Sequence, residues 1–155
     1  MVYFEGGKSG ESGEGGLRKI SIEGGDSVQI SKDFAVNPAV SPDGMMVAYI
    51  RFSTDLVTVV SLTGDNVEQH FHVPFDESAT GPLRWSADSR SLLYINSEGG
   101  VSNLWSQPIS GGRSTQITHF NNDLMRSFDV SRDGKQLVME RGTTHGDVVL
   151  IHDVM

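Results

Sequence analysis

Ser41-Pro42-Asp43-Gly44 is followed 45 residues later by Ser86-Ala87-Asp88-Ser89, and after another 45 by Ser131-Arg132-Asp133-Gly134. The surroundings of each copy also recur. An apolar residue stands before each serine (Val40, Trp85, Val130), and an apolar run follows each turn: Met46-Val47-Ala48-Tyr49-Ile50, Leu92-Leu93-Tyr94-Ile95 and Leu137-Val138-Met139. Ser-x-Asp-Gly is a tight-turn sequence, because aspartate can bond the backbone two residues on and glycine enters positive φ without steric cost. Ser89 holds the glycine position of the second copy, where a left-handed backbone costs a non-glycine residue about 1 kcal/mol.

Each unit reads as four short strands, so the chain is expected to be all-β. The first strand carries the apolar residue before the serine. The second is the apolar run, continuous enough to be buried on both faces. The third is Leu56 to Leu62 or Asn103 to Ile109, ending at the glycine turns Thr63-Gly64-Asp65 and Ser110-Gly111-Gly112. The fourth, Glu68 to Val73 or Ser114 to Thr118, alternates polar and apolar residues, as an outer strand wet on one side should.

A period near 45 built from such strands is the pattern of a β-propeller blade. The 155 residues hold three blades and a remainder, whereas closed propellers have about four to eight. The expected architecture is a propeller fragment of about three to four blades, with residues 1–35 a partial blade, 36–80 and 81–125 blades, and 126–155 a partial blade. Met1-Val2-Tyr3-Phe4 aligns with Leu92-Leu93-Tyr94-Ile95, and Leu17 to Ile30 aligns with Leu104 to Ile117, so the first blade is expected to lack its innermost strand. Val148-Val149-Leu150-Ile151 is expected to be the third strand of the last blade. Both ends then carry equivalent strands that duplicate rather than complement one another.

Twenty acidic against 12 basic residues give a net charge of −8, which opposes binding to a nucleic-acid backbone or an anionic membrane surface. The absence of cysteine excludes disulfides and thiolate metal sites. No charged segment followed by an apolar core opens the chain and no run of about 18 apolar residues occurs, so neither an export signal nor a membrane anchor is expected within it. Residues 6–16 form a glycine-rich polar stretch with little to bury.

Motifs of catalysis do not assemble. Gly7-Lys8-Ser9 resembles the end of a phosphate-binding loop, but that pattern needs glycine where Val2 stands and a helix where more glycine follows. Gly7-Lys8-Ser9-Gly10-Glu11 has glutamate in place of the last glycine of a hydrolase nucleophile elbow. His70 and His72 share one face of a strand, with Asp65 or Asp76 as nearby acidic candidates, but without a third ligand at diagnostic spacing they read as solvated histidines. His119, His145 and His152 are isolated. Asp43, Asp88 and Asp133 could be pictured as a carboxylate ring around a cation, yet their period follows from closing the same turn. No catalytic residue, cofactor or metal ligand is therefore expected, and the assigned residues are structural: Ser41, Asp43, Gly44, Ser86, Asp88, Ser131, Asp133 and Gly134. Trp85, Trp105, Phe71, Phe75 and Phe128 could form a ligand surface, with Trp85 expected in the core and Trp105 partly exposed.

Three stretches carry a family resemblance: Pro38 to Tyr49, Pro82-Leu83-Arg84-Trp85-Ser86, and Asn103 to Gly112. They resemble the TolB-type, WD40-like propeller repeat of bacterial proteins. The ending from Ser131 through Arg141-Gly142-Thr143 to Ile151 is similar to the carboxyl end of multidomain proteins in which a kinase or winged-helix DNA-binding domain precedes a propeller. The resemblance implies a noncatalytic protein-interaction or sensor module in an extracytoplasmic setting, its partner another protein or further blades of a parent chain. Pairing with a second copy is the other route, since two copies supply about seven blades' worth of strands. The alternative is a small-ligand-binding or substrate-gating propeller of an enzyme whose catalytic domain lies elsewhere.

Overall fold

A computed structural model of the chain describes residues 2–6, 16–33, 35–51, 54, 56–63, 68–73 and 81–143. Among the described residues there are thirteen strands and no helix. The strands β1 (Val2–Gly6), β2 (Gly16–Ile20) and β3 (Val28–Ser31) form the first sheet. β4 (Ala35–Val40), β5 (Met46–Arg51), β6 (Leu56–Ser61) and β7 (Glu68–His72) form the second. β8 (Arg84–Trp85), β9 (Ser91–Glu98), β10 (Val101–Pro108) and β11 (Thr115–Gln116) form the third, and β12 (Leu124–Val130) pairs with β13 (Leu137–Gly142) in the fourth. Every pairing is antiparallel and between sequence neighbours.

The order is that of the repeat: β5, β9 and β13 are its apolar runs, and β1 occupies the same place in the first sheet. β4 and β12 each carry a bulge, between Val36 and Ala39 and between Met125 and Ser127, which bends the strand early and leaves its last residues to enter the turn. The outer strand of the third sheet is shorter than expected. Only Thr115 and Gln116 pair as β11, because from there the backbone turns onto β10 through bonds of the Ile117 and Thr118 N–H groups to Leu104 O. The Val148 to Ile151 run, Gly64-Asp65, Phe75, Asp76, His145 and His152 lie outside the described residues.

A strand with side chains alternating between faces can be buried on both only if a sheet packs against each side. β5 shows this division. Val47 and Tyr49 pack with Leu17, Ala35 and Leu62 toward the first sheet, while Ala48 and Ile50 join Val57, Val59, Leu83, Trp85, Leu92 and Tyr94 toward the third. In β9, Leu92 and Tyr94 face the second sheet and Leu93 and Ile95 face the fourth, meeting Leu104, Met125 and Phe128. Three apolar interlayers thus separate four sheets packed face to face. β13 departs from the expectation of two-sided burial: Met139 and Leu137 pack inward, but Val138 is 72% exposed, because no described sheet covers its outer face.

Candidate binding cleft

The three serine turns are built alike, atom for atom. The hydroxyls of Ser41, Ser86 and Ser131 donate to Asp43, Asp88 and Asp133 Oδ1 at 2.5, 2.6 and 2.6 Å. The same Oδ1 atoms accept the N–H groups of Met45, Arg90 and Lys135, and the serine oxygens accept those of Met46, Ser91 and Gln136. Each carboxyl is held below the ordinary aspartate range, chiefly by its serine hydroxyl and then by the backbone N–H. Gly44, Ser89 and Gly134 have φ of +74°, +59° and +70°. The hydroxyls of these serines are committed to turn closure, and each aspartate Oδ1 closes its own turn.

Contacts between sheets repeat with nearly the same offset as the sequence. Trp85 Nε1 donates to Ala39 O at 2.9 Å, Arg84 Nε to Asp129 Oδ1 at 3.0 Å, and the Asp43 N–H to Ser89 Oγ at 3.2 Å. Each joins inner-strand or turn residues of adjacent sheets, so the inner strands and turns stand side by side along one edge of the stack.

Among the described residues, these aromatics do not form one surface. Trp85 and Phe128 are buried, Phe71 is half-buried against the core between the second and third sheets, and Trp105 is half-buried at that core's margin. Trp105 instead borders a cleft of about 250 Å³ on the third sheet, with Asn96, Glu98, Val101, Asn103, Gln116, Phe120 and Asn121. Its origin is strand length. β9 and β10 have eight residues each against six in β5 and β6, so the third sheet's hairpin outgrows the sheet that covers its lower part. The register places Trp105 opposite Tyr94, Asn103 opposite Asn96 and Val101 opposite Glu98, all on the face that meets the second sheet further down.

The far wall comes from the connection between β11 and β12, fixed by Asn103. Its Oδ1 accepts the Phe120 N–H at 2.7 Å and the Thr118 hydroxyl at 3.0 Å, and its amide donates to Phe120 O at 3.2 Å. Arg141 steadies this connection without lining the cleft, its guanidinium 3.5 Å from the Phe120 ring centroid and bonded to Asn122 O. Strands alternate in direction, so the cleft lies at the end of the sheets opposite the serine turns.

No protein-family model and no curated protein sequence matches the chain. Solved structures do. TolB from Acinetobacter baumannii superposes with a TM-score of 0.59 at 22% identity, over 79% of this chain and 31% of that one. Kuenenia stuttgartiensis hydrazine synthase matches with a TM-score of 0.55 at 18% identity, over 79% of this chain and 35% of that one. The β-propeller domain of the Trilobed protease from Pyrococcus furiosus matches at 0.47, over 76% and 39%. The fold is that of a TolB-type β-propeller. The chain spans about a third of the length of these matched structures.

In propeller terms, each sheet is a blade, the bulged strands β4 and β12 are innermost, and the cleft sits between the hairpin joining a blade's second and third strands and the connection to the next blade. Loops at the ends of a rigid scaffold are where recognition concentrates. His70 and His72 lie elsewhere, on the outer strand β7. His70 Nδ1 is 3.1 Å from Thr58 Oγ1 and its Nε2 is 3.5 Å from Glu68 Oε1, and among the described residues no three His, Cys, Asp or Glu side chains converge. Neither Asn103 nor Phe120 stood out in the sequence. The available signal was the length of the two apolar-polar runs flanking Gly99-Gly100.

Proposed function

We propose that the chain is a noncatalytic protein-interaction or sensor module that works within a larger propeller. The observation that carries this is the contrast between β13 and its equivalents. The corresponding runs in β5 and β9 are buried on both sides, whereas Val138 stands 72% exposed on a strand of the same pattern, a surface suited to a further blade. The reactive-looking residues support the same reading, since the repeated serines and aspartates hold turns. Further blades of a parent chain, or a second copy, are the partners that this surface fits. An extracytoplasmic setting accords with the resemblance to TolB-type repeats.

The second reading is a propeller belonging to an enzyme whose catalytic part lies elsewhere, favoured by the likeness to a chain named as hydrazine synthase.

Site-specific photo-crosslinking separates them. A crosslinker at Gly100, on the cleft end, should capture a discrete protein partner in the native cell, whereas one at Lys135, in a serine turn, should not. Capture at neither end, together with turnover of a small substrate by a complex containing the chain, would overturn the binding-module reading.

A further inference from the structure

We propose that the cleft beside Trp105 binds the cationic side chain of a lysine or arginine presented by a protein partner, an inference that rests on the binding-module reading above. Three observations converge on that chemistry. The first is the polar inventory. Glu98, Asn96 and Asn121 have no side-chain hydrogen-bond or ion-pair partner among the described residues, and Gln116 uses its amide nitrogen on Thr118 O while its Oε1 has none. Asn103 has its oxygen and one amide N–H committed to the Phe120 loop. The free groups therefore carry one full negative charge, at Glu98, with no lysine, arginine or histidine among the lining residues. A phosphate or carboxylate would find no cation there.

The second is the aromatic surface. Trp105 offers an indole beside these acceptors, a combination that attracts an ammonium or guanidinium through its ring face while its methylenes pack on the same ring. Phe120 already receives Arg141 in this manner, so Trp105 is the ring left for a ligand. The third is size and field. A cleft of about 250 Å³ admits one long side chain but lies below the roughly 300–1,000 Å³ of sites for larger organic ligands. The chain's net charge of −8 steers cations toward it. A neutral sugar would leave the Glu98 charge without a counter-charge, which a lysine or arginine supplies.

The two tryptophans give the test its internal control. In a titration of the whole chain with a blocked glycine–lysine–glycine peptide, followed by NMR, the Trp105 indole N–H signal should shift and saturate while that of buried Trp85 stays in place. A glycine–glutamate–glycine peptide should move neither. Glu98→Gln, at an exposed position, should weaken the lysine peptide about fivefold, and Asn121→Asp should tighten it about twofold, both effects shrinking in high salt. No Trp105 shift up to about 10 mM peptide, an equal response in Glu98→Gln, or saturation by methyl glucoside in place of the lysine peptide would each overturn the assignment. None of these outcomes would touch the crosslinking result, so failure here is distinguishable from failure of the binding-module reading.

Discussion

Ser89 Oγ accepts the backbone N–H of Asp43 at 3.2 Å, joining the serine turn of the third blade to that of the second. Ser89 stands where the other turns have glycine and holds a left-handed φ of +59°. Its side chain thus gains a cross-blade bond where its backbone carries strain. Ser89→Ala keeps the strain and loses the bond, so it should destabilise by about 1–2 kcal/mol. Ser89→Gly loses both and should lie within about 0.5 kcal/mol of the parent. Urea unfolding of the two variants checks the order; an alanine variant as stable as the glycine one would refute the account.

The serine turns share a geometry but not a burial. Ser41 is 3% exposed, whereas Ser131 is only half-buried. Ser41→Ala leaves the Met46 N–H without its 2.9 Å acceptor in a dry setting and should cost about 1–3 kcal/mol. Ser131→Ala exposes the Gln136 N–H to water and should cost less than half as much. Equal losses in chemical denaturation would show that burial does not set the difference.

Acid should loosen the same turns. Asp43, Asp88 and Asp133 have folded values below the unfolded 3.8, so the stability they contribute is fully present above that value and is lost as pH falls through the lower folded values. Replacing all three by asparagine should flatten the stability profile below about pH 4. An unchanged acid limb would mean other carboxyls dominate. Asp33, where burial acts upward but bonds from Arg51 and Tyr49 win, is the first candidate.

Alkali acts through Tyr49, whose hydroxyl donates to Asp33 Oδ2 at 3.0 Å in the first interlayer. Burial foremost, with Asp33 adding to it, pushes the phenol from 10.0 up to about 12. The folded state holds this proton more tightly than the unfolded one, so stability should fall as pH rises from 10.0 toward about 12. Tyr49→Phe should flatten that limb, measured by thermal melts at stepped pH.

Gly81 is required by space rather than by φ. An added Cβ would lie 2.6 Å from Ile95 Cδ1 and 3.2 Å from its Cγ1, against a buried side chain of β9. Gly81→Ala should destabilise by about 1–2 kcal/mol. Gly142→Ala, with nothing within 4 Å, is the matched control and should be neutral or slightly stabilising. Calorimetry of the pair distinguishes crowding from a general loss of glycine.

Much of the molecule was legible because turn chemistry and strand alternation are local. Ser-x-Asp-x at a 45-residue spacing determines where the chain reverses, and the unbroken apolar runs of β5 and β9 determine that a sheet lies on each side of them. Both follow from bonds and alternation within a few residues. The cleft depended on quantities that no local window contains: two extra residues in each strand of one hairpin, and a connection 17 residues from Asn103 that its amide pulls into place. Trp105 was recognisable as partly exposed, but its companions Glu98 and the Phe120-Asn121 pair come from two separate segments. The repeat, its turns and the burial of its central strands follow from the order of the residues. Which face of which blade stays open is set by the packed fold, because that depends on how far one sheet reaches past its neighbour.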